Sequence, residues 1–436
     1  EANERAIALY RSALEADPQF VLAKVWLAHA IMERRFLDSQ PIESLAPQIE
    51  PLLADAAREA PDLVDLYVVR GYFYTEMRQR EPAIQDLRHA LSLNPNSSGA
   101  AEKLGFYYLT AGQPREALTY YTLASSLDPK SEDLHGSRCT TLAELGEFTA
   151  AAAACERARA LAPDSAWVYN ISGKLERERG DLETASRWDE MALQRGDDLA
   201  SVQGERVATL VTLGLIREAG ASFQRARVAN PAAARRHSAL LFAGSIAAVD
   251  AGGIQGLRTF MRDNDLEHPT EPTQLFVLAN AALFAGDAPL ARQYVDGALG
   301  SNTLRPEDIA STWHAARGYS SLLVIAAALR GSGEPAAAER RLAELSALLD
   351  RMVEGGVQTN GMYFVRAELE AMRGDADKAM AALQRAVQLG WRDAWLAEHQ
   401  PYLESLRARA DFRALLATVN ARNADTAARI RGKLAS

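Results

Sequence analysis

Apolar residues along this chain recur at the spacing of one helix face, and polar breaks interrupt them at regular intervals. From Ser98, the series Ala101, Leu104, Gly105 and Tyr108 keeps the i, i+3, i+4, i+7 spacing of a buried stripe, and "TAGQP" then stops the helix. A second stripe of Ala117, Tyr121 and Ala124 follows at similar spacing and ends at "LDP". The pattern predicts two antiparallel helices joined by a tight turn. Proline after the second stripe prevents that helix from continuing and sends the chain into the next unit.

The unit recurs every 34 residues. Ala83, Ala117, Ala151, Ala185 and Ala219 hold one register, and Ala90, Ala124, Ala158, Ala192 and Ala226 a second. Pro61, Pro95, Pro129 and Pro163 hold a third, which skips Asp197 and returns at Pro231; Gly112, Gly146, Gly180 and Gly214 hold a fourth. The small residues have a contact reason. Gly105 and Ala117 fall where paired helices approach closely, and Tyr108 and Tyr121 fill the space on either side.

This pattern resembles the tetratricopeptide repeat. The best unit reads Leu104, Gly105, Tyr108, Ala117, Tyr121, Ala124 and Pro129, with Ala101 in place of the usual Trp; the unit before it reads Tyr67, Gly71, Tyr74, Ala83, Leu87, Ala90 and Pro95. The unit near Ala166 keeps Tyr169, Gly173, Ala185 and Ala192 but has Asp189 where an aromatic is usual. The resemblance implies an all-α fold, a right-handed superhelical α-solenoid of about 11 helical hairpins with a C-terminal capping helix.

Five segments follow from the register. Residues 64–231 form the regular array. Residues 1–63 hold a partial repeat, whose Ala6, Tyr10, Ala13 and Pro18 carry second-helix spacing, so that a first helix is expected before Glu1. They also hold a unit stretched to 43 residues between Pro18 and Pro61, in which about nine residues around "LDSQPIESLAP" are expected as an insertion between the helices. Residues 232–305 are degenerate units that keep Gly252, Gly286, Ala291 and Ala298, and residues 306–393 hold longer helices split at "GSGEP" and a last repeat. In that segment Trp313, His314 and Tyr319 are open to packing within the coil or against a second copy. Residues 394–436 form the cap, with Trp391, Trp395, Tyr402 and Phe412 as an aromatic edge over the last hairpin. The tail, through Gly390, Trp391, Pro401, Leu403, Leu406, Phe412 and Leu415, is similar to the closing segment of bacterial signalling proteins in which such repeats follow a winged-helix DNA-binding domain, a nucleotide cyclase or a protein kinase.

Composition narrows the function. A chain with 48% hydrophobic and 24% charged residues can build a core. A net charge of −9 argues against direct nucleic-acid binding by this region. The longest apolar runs, near Leu240 to Val249 and Leu322 to Leu329, reach about half the roughly 20 residues of a spanning helix, so no membrane span is expected in this region. No nucleophile elbow, phosphate loop, dinucleotide fingerprint, zinc pair or calcium loop occurs, and the seven histidines form no i, i+4 pair. No catalytic residue, cofactor or metal is therefore expected. Cys139 and Cys155 take two positions on one seam, either as buried free thiols or, in an oxidising compartment, as a disulfide.

The resemblance also places partner-facing side chains on the first helix of each pair. Tyr72, Phe106, Trp167, Asn170, Lys174 and Arg177 are the candidate groove residues, able to hold an extended or helical peptide by stacking, backbone hydrogen bonds and a charge pair. The cationic clamp that some members use for a chaperone's C-terminal carboxylate is missing, since Val68, Tyr72, Lys103, Asp133 and Ser137 stand at one set of its positions. The expectation is a protein or peptide ligand in the concave groove of a sensory module from a bacterial signalling or transcriptional regulator. The alternative is a periplasmic scaffold of an envelope or exopolysaccharide secretion system, and the compartment, cytoplasmic or periplasmic, stays open.

Overall fold

The computed structural model describes residues 2–37, 40, 42–77, 79–196, 200–300, 313–314 and 319–435. Helices form where the apolar stripes lie. α1 (Ala2–Ala16), α2 (Val21–Leu37) and α3 (Ile42–Glu59) precede the regular series α4 (Val64–Glu76), α5 (Arg80–Leu93), α6 (Ser98–Thr110), α7 (Pro114–Leu127), α8 (Glu132–Glu144), α9 (Phe148–Leu161), α10 (Ala166–Arg179), α11 (Leu182–Gly196), α12 (Ala200–Thr212) and α13 (Ile216–Ala229). Gly112, Gly146, Gly180 and Gly214 close the turns inside the pairs with φ of 73°, 74°, 78° and 71°, a left-handed conformation that a Cβ disfavours. Pro114 opens α7 at a position that needs no N–H, and the Ser97 side chain caps α6 by accepting from the Ala100 N–H.

The chain continues with α14 (Pro231–Arg236), α15 (Ser238–Asp263), α16 (Pro272–Phe284) and α17 (Ala288–Leu299). A two-residue antiparallel pair, Trp313–His314 with Tyr319–Ser320, is the one strand pairing among the described residues. The side-chain packing of Trp313, His314 and Tyr319 lies outside what is described. α18 (Ser321–Gly331), α19 (Pro335–Glu354), α20 (Asn360–Arg373), α21 (Ala376–Gln388), α22 (Ala394–His399), a 3-10 turn (Pro401–Leu406) and α23 (Ala410–Ala435) complete the chain.

Two compact units result, Glu1–Thr141 and Leu142–Ser436. In the first, α2 packs on α3, α4 on α5 and α6 on α7, and successive pairs stack through α2, α4 and α6. Its buried residues form two clusters, one around Ile31, Ile49, Leu53, Leu66 and Phe73 and one around Leu87, Leu104, Ala117 and Tyr121. The close-approach reading of the glycines holds here: a Cβ on Gly71 would lie 2.6 Å from Leu87 Cγ, and one on Gly105 2.9 Å from the Tyr121 ring. The expected insertion is corrected. Ile42 onward is already helical, with Pro47 and Pro51 inside α3, so part of the extra length lies within a helix.

The second unit has one continuous core running from Leu182 to Ile430. α15 has the length and composition of a membrane-crossing helix. It breaks, however, at Gly252 (φ −154°, ψ 19°) and Gly253 (φ 56°, ψ −140°), and its arms fold together, since a Cβ on Gly244 would lie 2.7 Å from the Phe260 ring. Each arm is shorter than a span needs, and Leu240, Leu241, Phe242 and Ile246 are core residues.

The C-terminal segment of this unit does more than cover the last hairpin. Three hairpin turns set 34 residues apart each meet it: Gly146 faces Gln358, Gly180 faces Gly390 and Gly214 faces Trp395. Gln358 N–H donates to Glu144 O (2.8 Å), Asn360 Nδ2 to Glu178 O (2.8 Å), Arg392 Nη1 to Gly180 O (3.1 Å) and Asn423 Nδ2 to Thr212 O (3.4 Å). Trp391 stacks on Phe364 at 4.8 Å, and Tyr402 donates to Asn280 Oδ1 at 2.7 Å. Of the two states open to the cysteines, the structure has the bonded one: Cys139 and Cys155 are both disulfide-bonded and fully buried.

Candidate interaction groove

α10 carries four of the six candidate residues. Trp167, Asn170 and Lys174 follow one another at i, i+3 and i+7, so one helix face presents all three. Trp167 is 38% exposed, unusual for so large an apolar side chain. Asn170 is only 7% exposed, and its Oδ1 has no hydrogen-bond partner. Lys174 is half-exposed, with its Nζ 4.0 Å from Glu144 Oε1.

Arg177, expected beside them, is withdrawn from the groove. It is buried, with Nη1 donating to Asp189 Oδ1 (3.2 Å) and Thr209 Oγ1 (3.1 Å), and its other η nitrogen bonds Glu205. Thr209 Oγ1 also donates to Asp189 Oδ2 at 2.6 Å. The cause is the unusual Asp189. A Cβ on Gly173 would lie 2.6 Å from Asp189 Oδ1, so the carboxylate occupies the space that Tyr121 fills against Gly105. Burial raises the Asp189 carboxyl above its ordinary range, and Arg177 and Thr209 oppose that rise. A desolvated carboxylate needs a cation, and Arg177 supplies it.

Glu178, the next residue, is also buried. Its carboxyl is pushed up to about 7, first by burial and then by the nearby Glu144, with Lys174 and Arg177 pulling the other way. Its backbone oxygen receives Asn360.

Tyr72 and Phe106 belong to the first unit, on α4 and α6, and their rings meet edge to face at 6.0 Å. Lys103 Nζ sits 4.4 Å over the Tyr72 ring and 2.9 Å from Glu102 Oε1. His29 of α2 lies 6.1 Å from Tyr72 and 5.4 Å from Trp26, giving an aromatic row across three first helices. Burial, and then Lys103, lowers His29 to about 4, so it is neutral at neutral pH. Trp26 and His29 escape a count of positions in a 34-residue frame, because the 43-residue unit displaces α2 from that frame. Aromatic residues at helical spacing in "VWLAHAI" were the available signal. Among the described residues, no group of three or more His, Cys, Asp or Glu side chains is placed to hold a metal ion.

Residues 64–97 match the family model described as tetratricopeptide repeat. A 105-residue stretch is 29% identical to anaphase-promoting complex subunit 3 of Schizosaccharomyces pombe, covering 24% of this chain and 16% of that relative. Among solved structures, yeast Tom70 is similar at 14% identity, with 95% of this chain and 96% of that one covered and a TM-score of 0.40. The hetero-tetramer Cut9-Hcn1 of the same complex is similar at 13% identity, with 93% and 73% covered and a TM-score of 0.42. With the helix pairs starting at Val64, Ser98, Glu132, Ala166 and Ala200 in steps of 34, this chain is a helical-repeat protein in which residues 64–97 match the tetratricopeptide repeat.

Proposed function

We propose that the chain is a non-catalytic protein-interaction module that holds a peptide or protein partner against the first helices of its repeats. One observation carries this reading: α10 presents an exposed aromatic plane and an ammonium on a single face, with the Asn170 amide buried between them. A peptide offers each its complement, a side chain to stack and a carboxylate to pair. Trp167→Ala with Lys174→Ala removes both at partly exposed positions, leaving the core intact. This double variant should no longer capture carboxylate-bearing peptides selected on the native chain from a displayed random library, with an unchanged melting temperature. Undiminished capture would overturn the assignment.

The finer reading is that this module is the sensory part of a bacterial signalling or transcriptional regulator. The support is the tail motif of Gly390, Trp391, Pro401, Leu403, Leu406 and Phe412, whose apolar members are buried in the second unit. The test is whether a longer product of the same gene carries a DNA-binding, cyclase or kinase output domain. A second reading, a periplasmic scaffold, is favoured by the bonded cysteines, since disulfides persist in oxidising compartments. Alkylation of the unreduced protein under denaturing conditions, followed by mass measurement, separates the two: no added label supports the scaffold, two labels the cytoplasmic regulator.

A further inference from the structure

The aromatic row of the first unit differs in charge from the face of α10. One of its rings already carries a cation: Lys103 Nζ stands 4.4 Å over Tyr72 and 2.9 Å from Glu102 Oε1. Trp26, His29 and Phe106 are half-buried, so part of each ring meets solvent.

Carboxylates gather around this row. Glu33 follows His29 by one helical turn, with its Oε1 3.8 Å from His29 Nε2, and Glu76 holds the same place after Tyr72. Asp133, in the first turn of α8, is within electrostatic reach of α6: its carboxyl is raised by burial, then by Glu132 and Glu102, with Lys103 opposing. Cations of the same first helices turn to the second helices instead. Lys24 pairs with Glu59 of α3, Arg34 with Glu4 of α1 and Arg70 with Asp86 of α5. His29, lowered to about 4 first by burial and then by Lys103, adds no positive charge at neutral pH. Lys103 is left among more carboxylates than it can neutralise.

We propose that this row docks a basic peptide segment of a partner protein, whose Lys or Arg side chains lie on the rings of Trp26 and Phe106 and pair with Glu33 and Asp133. The proposal rests on the reading that first helices hold the partner, and it fixes a charge opposite to the one that Lys174 asks for on α10. An anionic partner would be repelled, and a purely apolar one would strip water from the carboxylates with nothing to replace it. First helices stand about 8–10 Å apart, so an extended chain rising ~3.3 Å per residue runs from α2 to α8 in about eight residues.

The test is fluorescence anisotropy of the full chain with labelled octapeptides that alternate Ser with Arg, with citrulline or with Glu. The Arg peptide should bind, and the citrulline and Glu peptides at least tenfold more weakly, since citrulline keeps the shape and loses only the charge. Glu33→Gln with Asp133→Asn should weaken the Arg peptide at least tenfold at an unchanged melting temperature, and Trp26→Ala should weaken it likewise. Removing the same charge from α19, by Glu344→Gln with Asp350→Asn, should leave the affinity within twofold. So should Trp167→Ala with Lys174→Ala, which keeps a failure of the α10 reading distinct from a failure here. No binding of the Arg peptide, equal binding of the citrulline peptide, binding that survives Glu33→Gln with Asp133→Asn, or an equal loss in the α19 variant would each overturn the proposal.

Discussion

At Asp189 a residue that belongs on a surface is fully buried, and one cation makes it tolerable. Arg177 meets its carboxylate, and Thr209 and Glu205 complete the network. Removing the arginine leaves an uncompensated charge in a dry seam. Arg177→Ala should therefore destabilise the protein by about 3–5 kcal/mol in urea unfolding, whereas Arg177→Met with Asp189→Leu should stay near the parent. Equal losses in the single and double variants would show that packing, and not charge, dominates. Any groove variant that includes Arg177 confounds binding with unfolding.

Glu178 gives a pH prediction of definite sign. Its carboxyl stands at about 7 in the folded chain and near 4.5 when unfolded, so the folded state holds the proton more tightly. Its contribution is complete below about pH 4.5 and is lost as pH rises through about 7. The Asp393 carboxyl, also pushed up to about 7 by burial, acts in the same direction. Denaturation midpoints should fall over that window, and Glu178→Gln should flatten part of the fall. Identical pH slopes for parent and variant would refute this. The sequence showed Asp189 as an anomaly but could not say that Arg177 answers it, because the two are joined only when α10 and α11 pack.

Elements are where the sequence spoke most clearly. The helix pairs of residues 64–229 begin and end at the prolines and glycines that punctuate the stripes, since local backbone chemistry alone decides those positions. Ala117 shows the tolerance of the seam they form. It is fully buried on α7. Ala117→Leu adds volume with nowhere to go, and should cost about 1–3 kcal/mol in chemical unfolding. An unchanged midpoint would mean that the seam has slack. Where the register slipped, the structure departs from the reading: residues expected as an insertion before Pro61 lie in part within α3, which is helical from Ile42 and carries Pro47 and Pro51 on its exposed side.

On the scale of the whole second unit, stability depends on a docking that no repeat encodes alone. Gly180 and Gly390 face each other so closely that a Cβ on Gly180 would lie 2.6 Å from Gly390 O. Arg392 secures the meeting by donating to Gly180 O, Arg422 O and Asn423 Oδ1. Arg392→Ala should cost about 1–3 kcal/mol. In hydrogen exchange it should loosen residues near 180 and near 390 together; loosening confined to the tail would argue against a shared interface. The same docking explains why Gly390 and Trp391 stand together in the tail. The glycine admits a turn of an earlier repeat, and the indole fills the core beside Phe364.

By itself the sequence determined the helical class, the 34-residue period, the pairing of neighbours and the small residues at their seams, because each rests on interactions between residues close along the chain. Only the tertiary structure decided that Arg177 serves the frame, that the bonded state of the cysteines is adopted, and that the C-terminal segment returns onto turns more than two hundred residues earlier. Those outcomes depend on which surfaces meet after stacking, and a periodic sequence offers many equivalent surfaces between which its period cannot choose.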